Sequence, residues 1–135
     1  AVEAVGSGAA ARLGAFSLSV LGPQRRYAEE NDGSVVLWIE VGPKSVLLPG
    51  DIGRYGQHDL PPVRPDVLLV PHHGAATTDL VWLAESVGSL VVVSVGANSY
   101  GHPDPGVMDV ISRSGADIAM TIEQGDVSIP LPGRD

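Results

Sequence analysis

Asp66-Val67-Leu68-Leu69-Val70-Pro71-His72-His73-Gly74 runs four apolar residues straight into two adjacent histidines and a glycine. A continuous apolar run of this length, bounded by Pro65 and Pro71, reads as a strand buried on both faces. The polar residues behind it then fall at its carboxyl end, where open α/β sheets keep their chemistry. Two similar junctions flank it: Ser45-Val46-Leu47-Leu48-Pro49-Gly50-Asp51 upstream, and Ser89-Leu90-Val91-Val92-Val93-Ser94-Val95-Gly96 downstream, the latter followed by Ala97-Asn98-Ser99-Tyr100-Gly101-His102-Pro103. Three strand ends thus deliver Asp51, His72 with His73, and Asn98 with His102, a set suited to ligation and acid/base work.

Outward from this centre the chain alternates element types. Phe16-Ser17-Leu18-Ser19-Val20-Leu21 reads as a half-buried strand ending at Gly22-Pro23. Asn31-Asp32-Gly33 is a turn signal ahead of a strand over Ser34 to Val41, which Gly42-Pro43-Lys44 turns into Ser45 to Leu48 as an antiparallel hairpin. Ile52 to Leu60 predicts a short helix weakened by Gly53 and Gly56 and ended by Pro61 and Pro62. Thr77-Thr78-Asp79 caps a helix over Leu80 to Val87 that stops at Gly88, and Asp104-Pro105 opens another with Val107, Met108, Val110 and Ile111 inward, closed by Gly115. Asp117 to Thr121 and Asp126 to Pro130 read as short closing strands around Gln124-Gly125. Residues 1–15 read as a poorly ordered lead-in, 16–130 as one domain and 131–135 as a frayed tail. The fold class is α/β, an α+β type of mixed sheet with helices on at least one face.

Composition narrows the function classes. A chain of 135 residues with 44% hydrophobic and 18% charged residues is one globular domain. A formal charge of −8 argues against gripping nucleic acid by electrostatics alone, which needs clustered Lys and Arg. It leaves open a metal site that meets a phosphate, because the ion supplies the positive charge locally. With no cysteine, disulfides, thiolate zinc sites and thiol nucleophiles are all excluded. No apolar run is long enough to cross a bilayer, so any membrane link lies outside these residues.

Each candidate residue has a plain reading beside the sharp one. Asp51 either caps the following turn or offers a carboxylate that bridges two cations. His72 and His73 either form a solvated pair or serve a site; in extended backbone only one of them would face the cavity of Asp51, unless the strand has already broken. His102 alone reads as a loop histidine, and His58 belongs to the surface. Asn98 and Tyr100 are substrate-contacting groups, groups that orient those that are, or turn residues. Ser94 lacks the strained strand-to-helix setting of a hydrolase nucleophile.

Taken together, Asn31-Asp32-Gly33-Ser34-Val35-Val36-Leu37, Leu47 to Asp51, Val67 to Gly74 and Ser94 to Pro103, closed by Thr121 and Gly125, resemble the metallo-β-lactamase-like domain at the C-terminus of the ComEC family of DNA-internalisation competence proteins. The resemblance covers about residues 16–130; the double histidine-glycine followed by Asn-x-Tyr-Gly-His-Pro is its most specific part. It implies an αββα sandwich and metal-dependent phosphodiester hydrolysis with two zinc or manganese ions, acting on DNA, on the strand that is not imported. It matches Asp51 to the bridging aspartate, His72 or His73 to the late histidine ligand, and His102 to a further active-site histidine. In the intact domain Asp51 and His72 would then hold metal, while His73 or His102 positions or protonates the leaving oxygen. By the same resemblance the parent is a cell-membrane protein carrying this domain on the extracytoplasmic side.

Two departures shape the expectation. Gly74-Ala75-Ala76-Thr77-Thr78 stands where the family usually has serines, and no histidine precedes His58, although the principal His-x-(His/Asp)-x-Asp-His motif belongs upstream of Phe16. The chain therefore reads as the C-terminal half of the domain. Lowering the pKa of a metal-bound water toward about 7 needs several protein ligands per ion, so this chain alone is expected to bind zinc or manganese poorly and to show little nuclease activity. Half a sandwich also leaves an apolar sheet face to cover, which predicts a homo-oligomer. The alternatives are a non-catalytic assembly module of the DNA-uptake machinery and a small-molecule phosphoester hydrolase.

Overall fold

The alternating stretch and the unbroken apolar runs enter one seven-stranded sheet whose strands lie side by side in chain order. The computed structural model describes residues 4–131. Its strands are β1 (Ala10–Leu13), β2 (Phe16–Gly22), β3 (Val36–Val41), β4 (Lys44–Leu48), β5 (Val67–Leu69), β6 (Leu90–Val93) and β7 (Asp117–Met120). From β1 to β4 the pairing is antiparallel, and from β4 to β7 it is parallel. Helices α1 (Arg54–Asp59), α2 (Leu80–Ser86) and α3 (Pro105–Arg113) follow β4, β5 and β6, and a single turn, α4 (Thr121–Gln124), follows β7. The fold is thus a mixed α/β sheet, as the order of elements predicts.

Side-chain alternation divides the sheet into two faces. Leu47, Leu68, Val91 and Val93 point to the face where Leu83 and Val87 from the α2 region and Val107 and Ile111 of α3 complete a fully buried core. Each such aliphatic side chain stabilises the fold by about 1.5–3 kcal/mol. The opposite face carries Leu18, Val20, Leu37, Ile39, Val46, Leu48, Leu69 and Leu90, which are half-buried, beside Val41, Val67, Val92 and Ala119, which are buried. In the run Val67 to Leu69, Leu68 is fully buried on the helix side, while on the other side Val67 is buried and Leu69 half-buried.

The helices begin where short acidic side chains satisfy their free N–H groups. Asp79 Oδ1 accepts from the N–H of Val81 and of Trp82, both at 2.9 Å, and Asp104 Oδ1 accepts from Gly106 at 2.8 Å. α1 has no such residue at its own start. Its cap comes from a distant segment: the buried Asp32 accepts from the Gly56 N–H at 2.8 Å. A Cβ on Gly53 would stand 2.9 Å from Asp32 Oδ1, and one on Gly56 2.8 Å from the Asp32 carbonyl. The glycines that weaken this helix in sequence are what let the Asp32 segment approach it.

Two expectations change. Part of the lead-in is ordered: Ala10–Leu13 pairs with β2, and Gly8 and Ala9 exchange backbone hydrogen bonds with Val20. Composition hid this, because an edge strand of Ala and Arg shows no apolar alternation; residues 1–3 lie outside the described region. Asp126 to Pro130 forms no strand, since the chain leaves β7 through α4 and Gly125 rather than through a hairpin. Asn31-Asp32-Gly33 lies in a 3-10 turn, Glu30–Gly33, ahead of β3, where its turn signal puts a turn. Of the predicted tail, residues 132–135 lie outside the described region.

Candidate functional site

Because β4 to β7 run parallel, their carboxyl ends share one edge of the sheet, and β3, antiparallel to β4, brings its beginning to the same edge through Leu37 opposite Leu48. Asp51, the tandem histidines, the 94–103 loop and Thr121 all emerge there. So do Asn31 and Asp32, which the sequence reading treats only as turn residues.

The strand has broken before the histidines are reached. Val70 still bonds to the Val92 carbonyl, but His72 (φ 48°, ψ 44°) and His73 (φ 57°, ψ 20°) are both left-handed, and Gly74 follows at φ 81°. Left-handed backbone in two successive non-glycine residues costs about 1–3 kcal/mol each and persists only where the surroundings impose it. Those surroundings are visible. The His72 N–H donates to the Gly50 carbonyl at 3.1 Å, the Ala75 N–H to His72 at 3.0 Å and the Asp104 N–H to Gly74 at 2.7 Å. Gly74 also faces Pro103, whose Cβ would be 2.8 Å from any added Cβ. Three loops are thereby tied into one unit.

The left-handed turn removes the alternation that would have sent the two rings to opposite faces. The His72 ring centroid lies 6.3 Å from that of His73 and 5.5 Å from that of His102. His73 Nδ1 stands 2.7 Å from the Ser94 carbonyl oxygen. A carbonyl can only accept, so the proton of this hydrogen bond sits on Nδ1, and in the neutral ring Nε2 keeps its lone pair. The bond goes to the backbone of Ser94 and not to its hydroxyl, so His73 forms no serine-histidine pair. Asn31 Nδ2 approaches His72 Nδ1 at 3.5 Å, the outer limit of a hydrogen bond.

The loop that carries His102 is built around Asn98. Its Nδ2 donates to the carbonyls of Gly96 (2.9 Å) and His102 (2.8 Å), and its Oδ1 accepts from the N–H groups of Tyr100 (3.0 Å) and His102 (3.1 Å). With both donors and both acceptor sites occupied, this amide orients the loop. Thr121 fixes the exit of β6, its hydroxyl accepting from the Val95 N–H at 2.7 Å and donating to the Val95 carbonyl at 2.8 Å. Tyr100 projects into solvent beside His102. His73, Asn98, Tyr100 and His102 share a cavity of about 200 Å³. His58 lies exposed on α1.

Asp51 is exposed and, among the described residues, takes no hydrogen bond or ion pair. The Gly50 to His72 bond sets its backbone beside the histidines. Yet no three His, Asp or Glu side chains among the described residues stand close enough together to hold a metal ion. A zinc or dinuclear centre needs about four ligands per ion, so these residues do not by themselves fit one. None of the described helices is long and apolar enough to cross a membrane.

No family model matches the chain. Over 141 aligned residues it is 29% identical to the ComE operon protein 3 of Bacillus subtilis (strain 168), an alignment that takes in 99% of this chain and 18% of that protein.

Proposed function

We propose that the chain is a domain of a competence-related protein and that its histidine-bearing edge acts on DNA phosphodiester bonds during DNA uptake. The family resemblance and the likeness to a ComE operon protein support the context. The observation that carries the chemistry is the meeting of His72, His73 and His102 at the carboxyl edge of the parallel strands, on backbone strained enough to need a reason. His73, with its Nδ1 proton committed to Ser94, presents Nε2 for proton exchange with a leaving oxygen or for ligation, and His102 stands within the same cavity. The zinc or manganese centre that the resemblance implies would need ligands from outside residues 4–131, joined to Asp51 and His72. A membrane location would likewise come from segments outside this chain, and the second layer of an αββα sandwich, or a second copy, would cover the half-buried face.

The absence of a three-ligand cluster among the described residues favours a second reading, a non-catalytic assembly module of the uptake machinery. Metal analysis separates the two when made on the 135-residue chain and on the longest natural polypeptide that contains it. Stoichiometric zinc or manganese in the longer form, lost on Asp51→Ala, is the expected result; no metal at either length would leave the assembly module standing. Comparing single-stranded DNA with a chromogenic phosphodiester tests the substrate, since a hydrolase of small phosphoesters would turn over only the latter.

A further inference from the structure

Tyr100 is 82% exposed, more than any other large apolar or aromatic residue described. A ring left in water forgoes most of the stabilisation its burial would bring, so the fold gains little from it. Its position is nevertheless fixed. Asn98 locks the backbone on both sides of it, and its ring stacks on His102 with centroids 5.9 Å apart and planes inclined by 24°. One face of the ring thus lies beside His102 and the other is open. The chain carries a formal charge of −8, so it cannot rely on neutralising phosphates to hold a nucleic acid. Stacking supplies affinity without cations and tolerates any base, because every base has a π-face.

We propose that the open face of Tyr100 is a stacking platform for an unpaired nucleobase, which sets the adjoining phosphate over His72, His73 and His102. This rests on the DNA reading above and narrows the substrate to single-stranded or locally unpaired DNA, since a base inside a duplex cannot reach an isolated ring. Asn98 is then a positioning residue and Tyr100 the contact.

Fluorescence anisotropy of a labelled oligothymidine and of an abasic strand of equal length, at low salt, tests the assignment on the 135-residue chain. Wild type is expected to prefer the base-bearing strand. Tyr100→Ala should weaken that binding roughly ten-fold or more and leave the abasic strand unchanged, while Tyr100→Phe and Tyr100→Trp keep the preference; unchanged thermal melts exclude misfolding. If wild type prefers the base-bearing strand and Tyr100→Ala does too, or if Tyr100→Ala weakens both strands equally, the stacking assignment is overturned and the DNA reading stands. If wild type binds neither strand, both are overturned.

Discussion

From β4 to β7 the strands run parallel as short aliphatic runs, whereas from β1 to β4 they run antiparallel and Phe16 to Val20 alternates with serine. The two halves share one sheet but divide its tasks. Parallel strands send every carboxyl end to the same edge, so Asp51, His72, His73, Asn98 and His102 gather from loops far apart in sequence. The antiparallel half reaches that edge through the end of β2 and the start of β3, and beside the latter Asn31 meets His72 and Asp32 caps α1. The deepest core also sits in the parallel half, beneath α2 and α3, which gives the site a firm support.

Paired substitutions sharpen this contrast. Leu68→Ala, at a fully buried position, should cost about 2–5 kcal/mol in urea denaturation, and the matching Leu18→Ala in β2 roughly 1 kcal/mol; equal costs would erase the distinction. If the half-buried face pairs with a second copy, light scattering at rising concentration should show a dimer that a charge at Leu18 disrupts, and a monomer throughout would contradict self-association. At the site, His72→Gly should be more stable than His72→Ala by roughly 1–2 kcal/mol, because glycine alone relieves the left-handed backbone. Asp79→Ala should cost about 1 kcal/mol by freeing two N–H groups at the start of α2.

The smallest effect is a shift in acid stability where the halves join. The Ser45 N–H (2.9 Å), then the Lys44 ammonium (3.2 Å) and the Ser45 hydroxyl (3.0 Å), hold the Asp66 carboxyl below the usual carboxylate range. A carboxyl whose folded value is depressed contributes stability above its unfolded value, and this is lost as pH falls through the folded one. Asp66→Asn should therefore flatten the stability profile below about pH 4, as followed by circular dichroism; an unchanged acid limb would show that Asp66 contributes nothing there.

How far the sequence discloses this molecule follows from how local each signal is. The apolar runs, the Asp79 and Asp104 caps and the hairpin at Gly42 are read from adjacent residues, and all are present. The Asp32 cap of α1, the Asn31 contact and the Thr121 clasp join residues more than twenty positions apart and leave no local pattern. The tandem histidines stand out at once, but their orientation rests on left-handed backbone imposed by Gly50, Pro103 and Asp104, so alternation gives the wrong geometry for them. Ala10–Leu13 escapes notice because only pairing with β2 makes it a strand. Asp51 is visible as a strand-end carboxylate, whereas which side chains stand around it is set by the fold.

The central claim is that the histidines of the parallel edge act on DNA. Its most direct test is cleavage of single-stranded DNA by the longest natural polypeptide containing this chain, with and without His73→Ala and His102→Ala. Loss of 10²-fold or more in rate for at least one of the two, on the order expected for a group that moves a proton, with thermal stability retained, is the predicted result. Cleavage unaffected by either substitution would contradict it.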